Sequence, residues 1–171
     1  MVVEPKAAAE FIQGYAKLMV AIYKLSAMKE QLPLIEVIAN AREKYSADRT
    51  LLEKALAKLK SQAKTIAPEV LHAIKTLEVK KWIYLKDTKT YSVFIDPTGN
   101  VAYAVLGLTD RIRDLAGVSG VMLETGLVKY CGRFVCDGIV QSPVLLGPNY
   151  RNDFNAAFKR IKLKGQFYAT S

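Results

Sequence analysis

Apolar residues recur at steps of three and four along the first 78 positions of this chain. From about position 79 they alternate with polar ones or gather in short β-branched and aromatic blocks. The change of period separates a helical region from a pleated one, because side chains on a helix realign every 3.6 residues and on a strand every second residue. Ala8, Phe11, Ile12, Tyr15, Leu18, Met19, Ile22 and Leu25 predict an amphipathic helix over about 5–28, with Pro5 suited to its first turn. After Pro33, Ile35, Ile38, Ala39 and Arg42 repeat the spacing in a helix ending near Tyr45 and Ser46. Ser46 and Asp48 are N-cap types, and Thr50 stands three before Glu53 as in a capping box. A third helix is therefore expected to run to Ile66 with Leu52, Ala55, Leu56 and Leu59 inward. Pro68 opens a fourth helix that turns Val70, Leu71, Ile74 and Leu77 inward.

Aromatic and β-branched blocks over 82–85, 90–95 and 101–106 predict a three-stranded meander, split by Asp87-Thr88-Lys89 and by the turn Asp96-Pro97-Thr98-Gly99-Asn100. Thr109 or Asp110 caps a short helix over 111–115 that closes at Gly117. Strands follow over 121–129, 133–136 and 139–146, the last two joined by an Asp137-Gly138 hairpin turn. Pro143 lacks an amide donor, which puts the last strand at an edge. A helix over 148–162 turns Tyr150, Phe154, Ala157, Phe158 and Ile161 inward. The expected fold is α+β: a helical region over 1–78, then an antiparallel sheet of about six strands over 79–171 with a short crossover helix and a C-terminal helix on one face.

A length of 171 residues with 51% hydrophobic and 24% charged residues fits one compact unit rather than two enzyme-sized domains. The apolar stretch 11–28 is interrupted by Gln13, Lys17, Lys24 and Ser26, short of the ~18 unbroken apolar residues a membrane span needs. No secretory signal is read at the N-terminus, so a cytoplasmic protein is expected. Cys131 and Cys136 lie five apart and would face opposite sides of one strand, so both read as reduced thiols. A formal net charge of +9, spread over both halves of the chain, favours polyanions such as nucleic acid.

Five segments of the second half stand out together: Asp96-Pro97-Thr98-Gly99-Asn100, then 105–110, then Val121-Met122-Leu123-Glu124-Thr125, Gly132-Arg133-Phe134-Val135-Cys136-Asp137-Gly138, and Gly147-Pro148-Asn149-Tyr150-Arg151. Over about residues 82–165 this resembles the C-terminal signature of a set of prokaryotic proteins with no established activity. The resemblance implies a shared β-rich unit and carries no catalytic residue across.

The chemistry on offer is sparse. The single histidine, His72, sits in the fourth helix as a partly exposed residue rather than beside a nucleophile. Two cysteines and one histidine fall short of the four ligands of a structural zinc site, so no metal is expected. No glycine-rich phosphate cradle is present, and no cofactor is implied. Asp137 is explained by the turn, whereas Glu124, mid-strand, must face water or meet a cation such as Arg133. The start of the last helix offers free amides beside Asn149 and Arg151; with Lys159 and Arg133 these are the candidate anion-binding residues. Lys159, Arg160, Lys162 and Lys164 extend that basic surface, and Tyr91 and Tyr103 are candidate stacking residues. The wide apolar arc of the first helix favours a homo-oligomer through the N-terminal helices. The reading is a non-enzymatic binding or regulatory protein whose basic surface meets an anionic partner, nucleic acid or a phosphate-bearing ligand. Two alternatives stay open: a small enzyme that uses Glu124, Asp137 and arginines on an anionic substrate, and a homo-oligomeric structural or interaction protein.

Overall fold

In a computed structural model, residues 1–25 and 32–170 are described. Four helices come first: α1 (Pro5–Leu25), α2 (Leu34–Ala47), α3 (Leu51–Ser61) and α4 (Pro68–Lys75). The expected end of the first helix, at Met28, lies outside the described residues. Asp48, not Thr50, caps α3: its Oδ1 accepts from the Thr50 amide at 2.9 Å and from the Thr50 hydroxyl at 2.7 Å. Then follow β1 (Glu78–Asp87), β2 (Ser92–Ile95), β3 (Ala102–Leu106), α5 (Ile112–Ala116), β4 (Val121–Tyr130), β5 (Arg133–Leu145), α6 (Pro148–Leu163) and β6 (Phe167–Tyr168).

The architecture is α+β, and its sheet is mixed and closes on itself. β1 pairs antiparallel with β2 and β4, β2 with β3, and β4 with β5; the ring is completed by a short parallel pairing of β3 with β5 through Val105–Phe134 and Leu106–Val135. β6 extends that seam, lying parallel to β3 through Ala102–Phe167 and Tyr103–Tyr168, where β5 has not yet begun. The ring is filled from every strand: Trp82 and Tyr84, Phe94, Val105, Leu123 and Leu127, Phe134 and Cys136 pack together, and Ile112 and Ala116 of α5 join them.

Both outer faces are covered. Phe158 and Ile161 of α6 lie on Ile83, Leu85, Val93 and Ile95. The N-terminal helices lie on Val128, Tyr130 and Val135. α1 is buried at Phe11, Tyr15, Leu18, Met19 and Ile22, so its wide apolar arc is taken up inside the chain and only Ile12 and Leu25 of its large apolar residues stay exposed. Tyr150, expected inward, is 66% exposed.

The largest departure from expectation is at Asp137-Gly138, which is no turn. The hairpin turn of β4 and β5 is Cys131-Gly132, with φ of 50° and 68° between the paired Tyr130 and Arg133, the double positive φ of a type I′ turn. The segments 133–136 and 139–145 are one strand. Between the pairs Thr125–Val140 and Leu127–Cys136, β5 carries three residues, 137–139, against the single Gly126 of β4. This bulge re-aims Asp137 towards the helices. A second irregularity sets Ser142 and Pro143 against Leu123, which accommodates the proline.

Candidate functional site

The two ends of the barrel differ. α5 plugs one, and the other opens to solvent as a cavity of about 310 Å³ walled by Trp82, Tyr103, Phe134 and Tyr168, with Glu78 and Lys129 at its edge. The strands dictate this. Trp82, Tyr103 and Phe134 alternate inward on β1, β3 and β5, and β6 adds Tyr168 alongside Tyr103. Tyr103 is central: its ring meets Trp82 edge-on at 5.6 Å, Phe134 edge-on at 4.8 Å and Tyr168 stacked at 5.8 Å. These are favourable aromatic geometries, so the wall is held in place before any ligand arrives. The Trp82 indole donates to the Thr125 carbonyl at 3.2 Å, which fixes its ring.

Charge around the mouth is asymmetric. Lys80 sits over the Trp82 ring at 4.2 Å and bridges Glu78 at 2.7 Å and Asp96 at 3.2 Å. Burial opposes its charge, but the hydrogen bonds and charges of the two carboxylates prevail and hold its pKa above the ordinary lysine value. Two acids share one cation on this rim. On the other rim Lys129 is exposed, has its ammonium 5.8 Å from the Phe134 ring, and makes no ion pair with a described residue. Burial, with the Glu78 charge, raises the pKa of Tyr103. The Thr76 hydroxyl is engaged on both sides, donating to the Ala73 carbonyl at 2.7 Å and accepting from the Lys129 amide at 2.8 Å.

A second polar centre lies between barrel and helices. Asp137 accepts from Arg42 Nη1 at 3.0 Å, the Tyr15 hydroxyl at 3.0 Å and the Ile139 amide at 3.1 Å. Arg42 also donates to the Ile139 carbonyl at 3.0 Å and to Gln141 at 2.9 Å. Burial pushes the Tyr15 pKa well up, with the Asp137 charge adding to it; for Arg42 burial works downward and Asp137 overrides it. The carboxylate has its acceptor sites filled, which makes the cluster a staple between layers rather than a reactive group.

The anion-binding candidates do not converge. Arg133 opens β5, and Asn149 and Arg151 follow its far end. Arg151 lies against Gly120, its Nε 3.2 Å from where a Cβ would stand. Lys159 stands eight residues further on, about 12 Å along α6. Glu124 stands opposite Lys81 and Gln141 in register, away from Arg133 at the hairpin. Asp137 is buried with Arg42, not at a turn. Cys131 is exposed and Cys136 buried, both as free thiols. His72 is exposed on α4. Tyr91 packs on Phe167 in the core under α6, whereas Tyr103 does reach a cavity. Sequence reasoning passed over Arg42, Trp82, Phe134 and Tyr168. A charged residue on the apolar stripe Ile35, Ile38, Ala39, Arg42 was the available signal for the first; the aromatics lie on strands whose pairing is non-local.

Among the described residues no group of three or more His, Cys, Asp or Glu is placed to hold a metal ion, and no helix is long and apolar enough to cross a membrane. No protein-family model matches the chain, and neither the curated proteins nor the solved structures contain a significant match.

Proposed function

We propose that this is a non-enzymatic binding protein whose barrel mouth takes the planar ring of an anionic ligand of the nucleotide class, base against Tyr103 and Tyr168 and phosphate towards Lys129. The observation that carries the reading is the cavity of about 310 Å³ walled by four aromatic rings. Barrel mouths are common ligand sites, and this volume suits one base with its sugar. Aromatic cages also hold cations, but here Lys80 already occupies the face of Trp82 and Lys129 stands by Phe134, so a cationic guest would meet like charge. A neutral sugar would stack yet leave Lys129 without a counterion. The mouth's Thr76 hydroxyl and Glu78 carboxylate are already engaged within the chain, which supports binding over catalysis.

Trp82 is the sole tryptophan, so its emission reports on the cavity directly. Titration with each nucleoside monophosphate should quench it saturably, and Tyr103→Ala should weaken that binding about tenfold or more, the scale of one lost stacking contact. Unchanged emission with all of them at millimolar concentration would refute the reading.

A further inference from the structure

We infer that the barrel mouth recognises the end of a single nucleic-acid strand, the terminal base entering the cavity and the chain leaving in one direction only, past Lys129 along α4. This rests on the proposed reading of the mouth as a nucleotide site and goes further, because it names the ligand's length and polarity of approach. The first observation is that the cavity is a dead end. Its floor is the barrel core of Trp82 and Leu127, with α5 plugging the opposite end, so no strand can thread through.

The second is that only one exit suits a phosphate chain. On the β1 side the rim carries Glu78 and Asp96 sharing Lys80, a net negative edge that repels phosphate. On the other side Lys129 belongs both to the mouth and to an open groove of about 830 Å³ between α4 and the β4–β5 hairpin, walled by Pro68, His72, Tyr130 and Gly132. Glu69 is the one acid among the described residues that wall it, in the first turn of α4 and therefore far from the mouth, and the charge of Glu10 also reaches Tyr130 of that wall. Thr76 is hydrogen bonded to the Lys129 amide at the near end, and eight helical residues back to Pro68 span about 12 Å. That length takes about two phosphates of a stretched strand, a small footprint for a single-strand site. An internal base would need the chain to leave on both sides, and one of those sides is acidic.

The test compares a linear deoxyadenylate strand of about 20 nucleotides with the same strand ligated into a circle, with its ribose counterpart and with AMP, all read by Trp82 emission. The linear strand, in either sugar, should bind at least about tenfold tighter than both AMP and the circle. Its affinity should fall with salt at a log–log slope of about −1.4, as expected for two phosphates on a single strand. His72→Glu, an exposed change in the groove, should weaken the linear strand by a larger factor than it weakens AMP. A circle that quenches as well as the linear strand, or a linear strand no tighter than AMP, overturns end recognition while AMP binding upholds the nucleotide site. Failure of AMP and strands together overturns the reading on which it rests.

Discussion

Arg42 on α2 and Asp137 on β5, 95 residues apart in sequence, form an ion pair at 3.0 Å in which neither side chain has any exposure to solvent. The pair joins the helical layer to the barrel at the wider of the two bulges of β5, residues 137–139. Three further groups complete the carboxylate's shell: the Tyr15 hydroxyl of α1, the Thr125 hydroxyl of β4 at 3.4 Å and the Ile139 amide of β5 itself. Such a buried polar set can fix registry between the layers, which also meet through apolar contacts and through the Thr76–Lys129 and Tyr130–Ala7 hydrogen bonds.

Breaking the pair should therefore cost far more than replacing it. Arg42→Met or Asp137→Leu alone leaves one buried charge without its partner and should destabilise the fold by about 3–5 kcal/mol, whereas the double replacement should recover most of that loss. Urea unfolding of the two single variants and the double variant gives the coupling energy. Additive losses would mean that the pair does not act as a unit.

The helices were legible because their apolar spacing is local: α1, α2, α3 and α4 each start where a proline or an Asp/Thr pair says they should. The β1–β3 meander was legible for the same reason. Asp137-Gly138 misled because Asp-Gly is a strong hairpin signal; here the aspartate bonds the Ile139 amide and Gly138, at φ 86°, bends one continuous strand. The true turn, Cys131-Gly132, hid behind a cysteine. Closure of the sheet rests on two residue pairs of β3 with β5 and on the two-residue β6, pairings that no local pattern encodes. Of the mouth, Tyr103 alone was visible beforehand; Trp82, Phe134 and Tyr168 join it only through that closure.

Gly126 tests how tightly the staple is seated. A Cβ at this position would stand 2.4 Å from Asp137 Oδ2 and 2.7 Å from Leu77 Cδ1. Gly126→Ala should destabilise by about 1–3 kcal/mol, the range for overpacking a filled core. It should also lower the thermal midpoint more than an alanine at the solvent-exposed Gly147, whose Cβ would meet nothing within 4 Å.

The turn itself can be improved. Cys131 holds φ of 50° before Gly132 at 68°, and asparagine tolerates that left-handed conformation better than cysteine does. Cys131→Asn should raise stability by about 0.5 kcal/mol, within the range of such backbone-compatible changes. Equilibrium unfolding in urea would register it as a higher midpoint at an unchanged slope.

The thiols should separate sharply with pH. Burial pushes the Cys136 thiol up to about 12, with the Asp137 charge adding to it, while Cys131 is exposed at the hairpin tip. A disulfide reagent at pH 8 should thus label one thiol per native chain and the second only on unfolding. The same shift sets a stability window. Cys136 keeps its proton in the folded state to about pH 12, whereas the unfolded chain releases it near the ordinary value of 9.0. Its contribution is thus complete below pH 9 and is lost as pH rises towards 12. Tyr130, raised by burial to about 12 from 10.0, acts in the same direction over the upper part of that range. Urea midpoints measured from pH 8 to 11 should fall steadily, and Cys136→Ala should make the decline between pH 9 and 10 shallower, leaving the part that Tyr15, Tyr84, Tyr103 and Tyr130, all raised from 10.0, begin to add there. An equally steep decline in that variant would show that Cys136 titrates alike in both states.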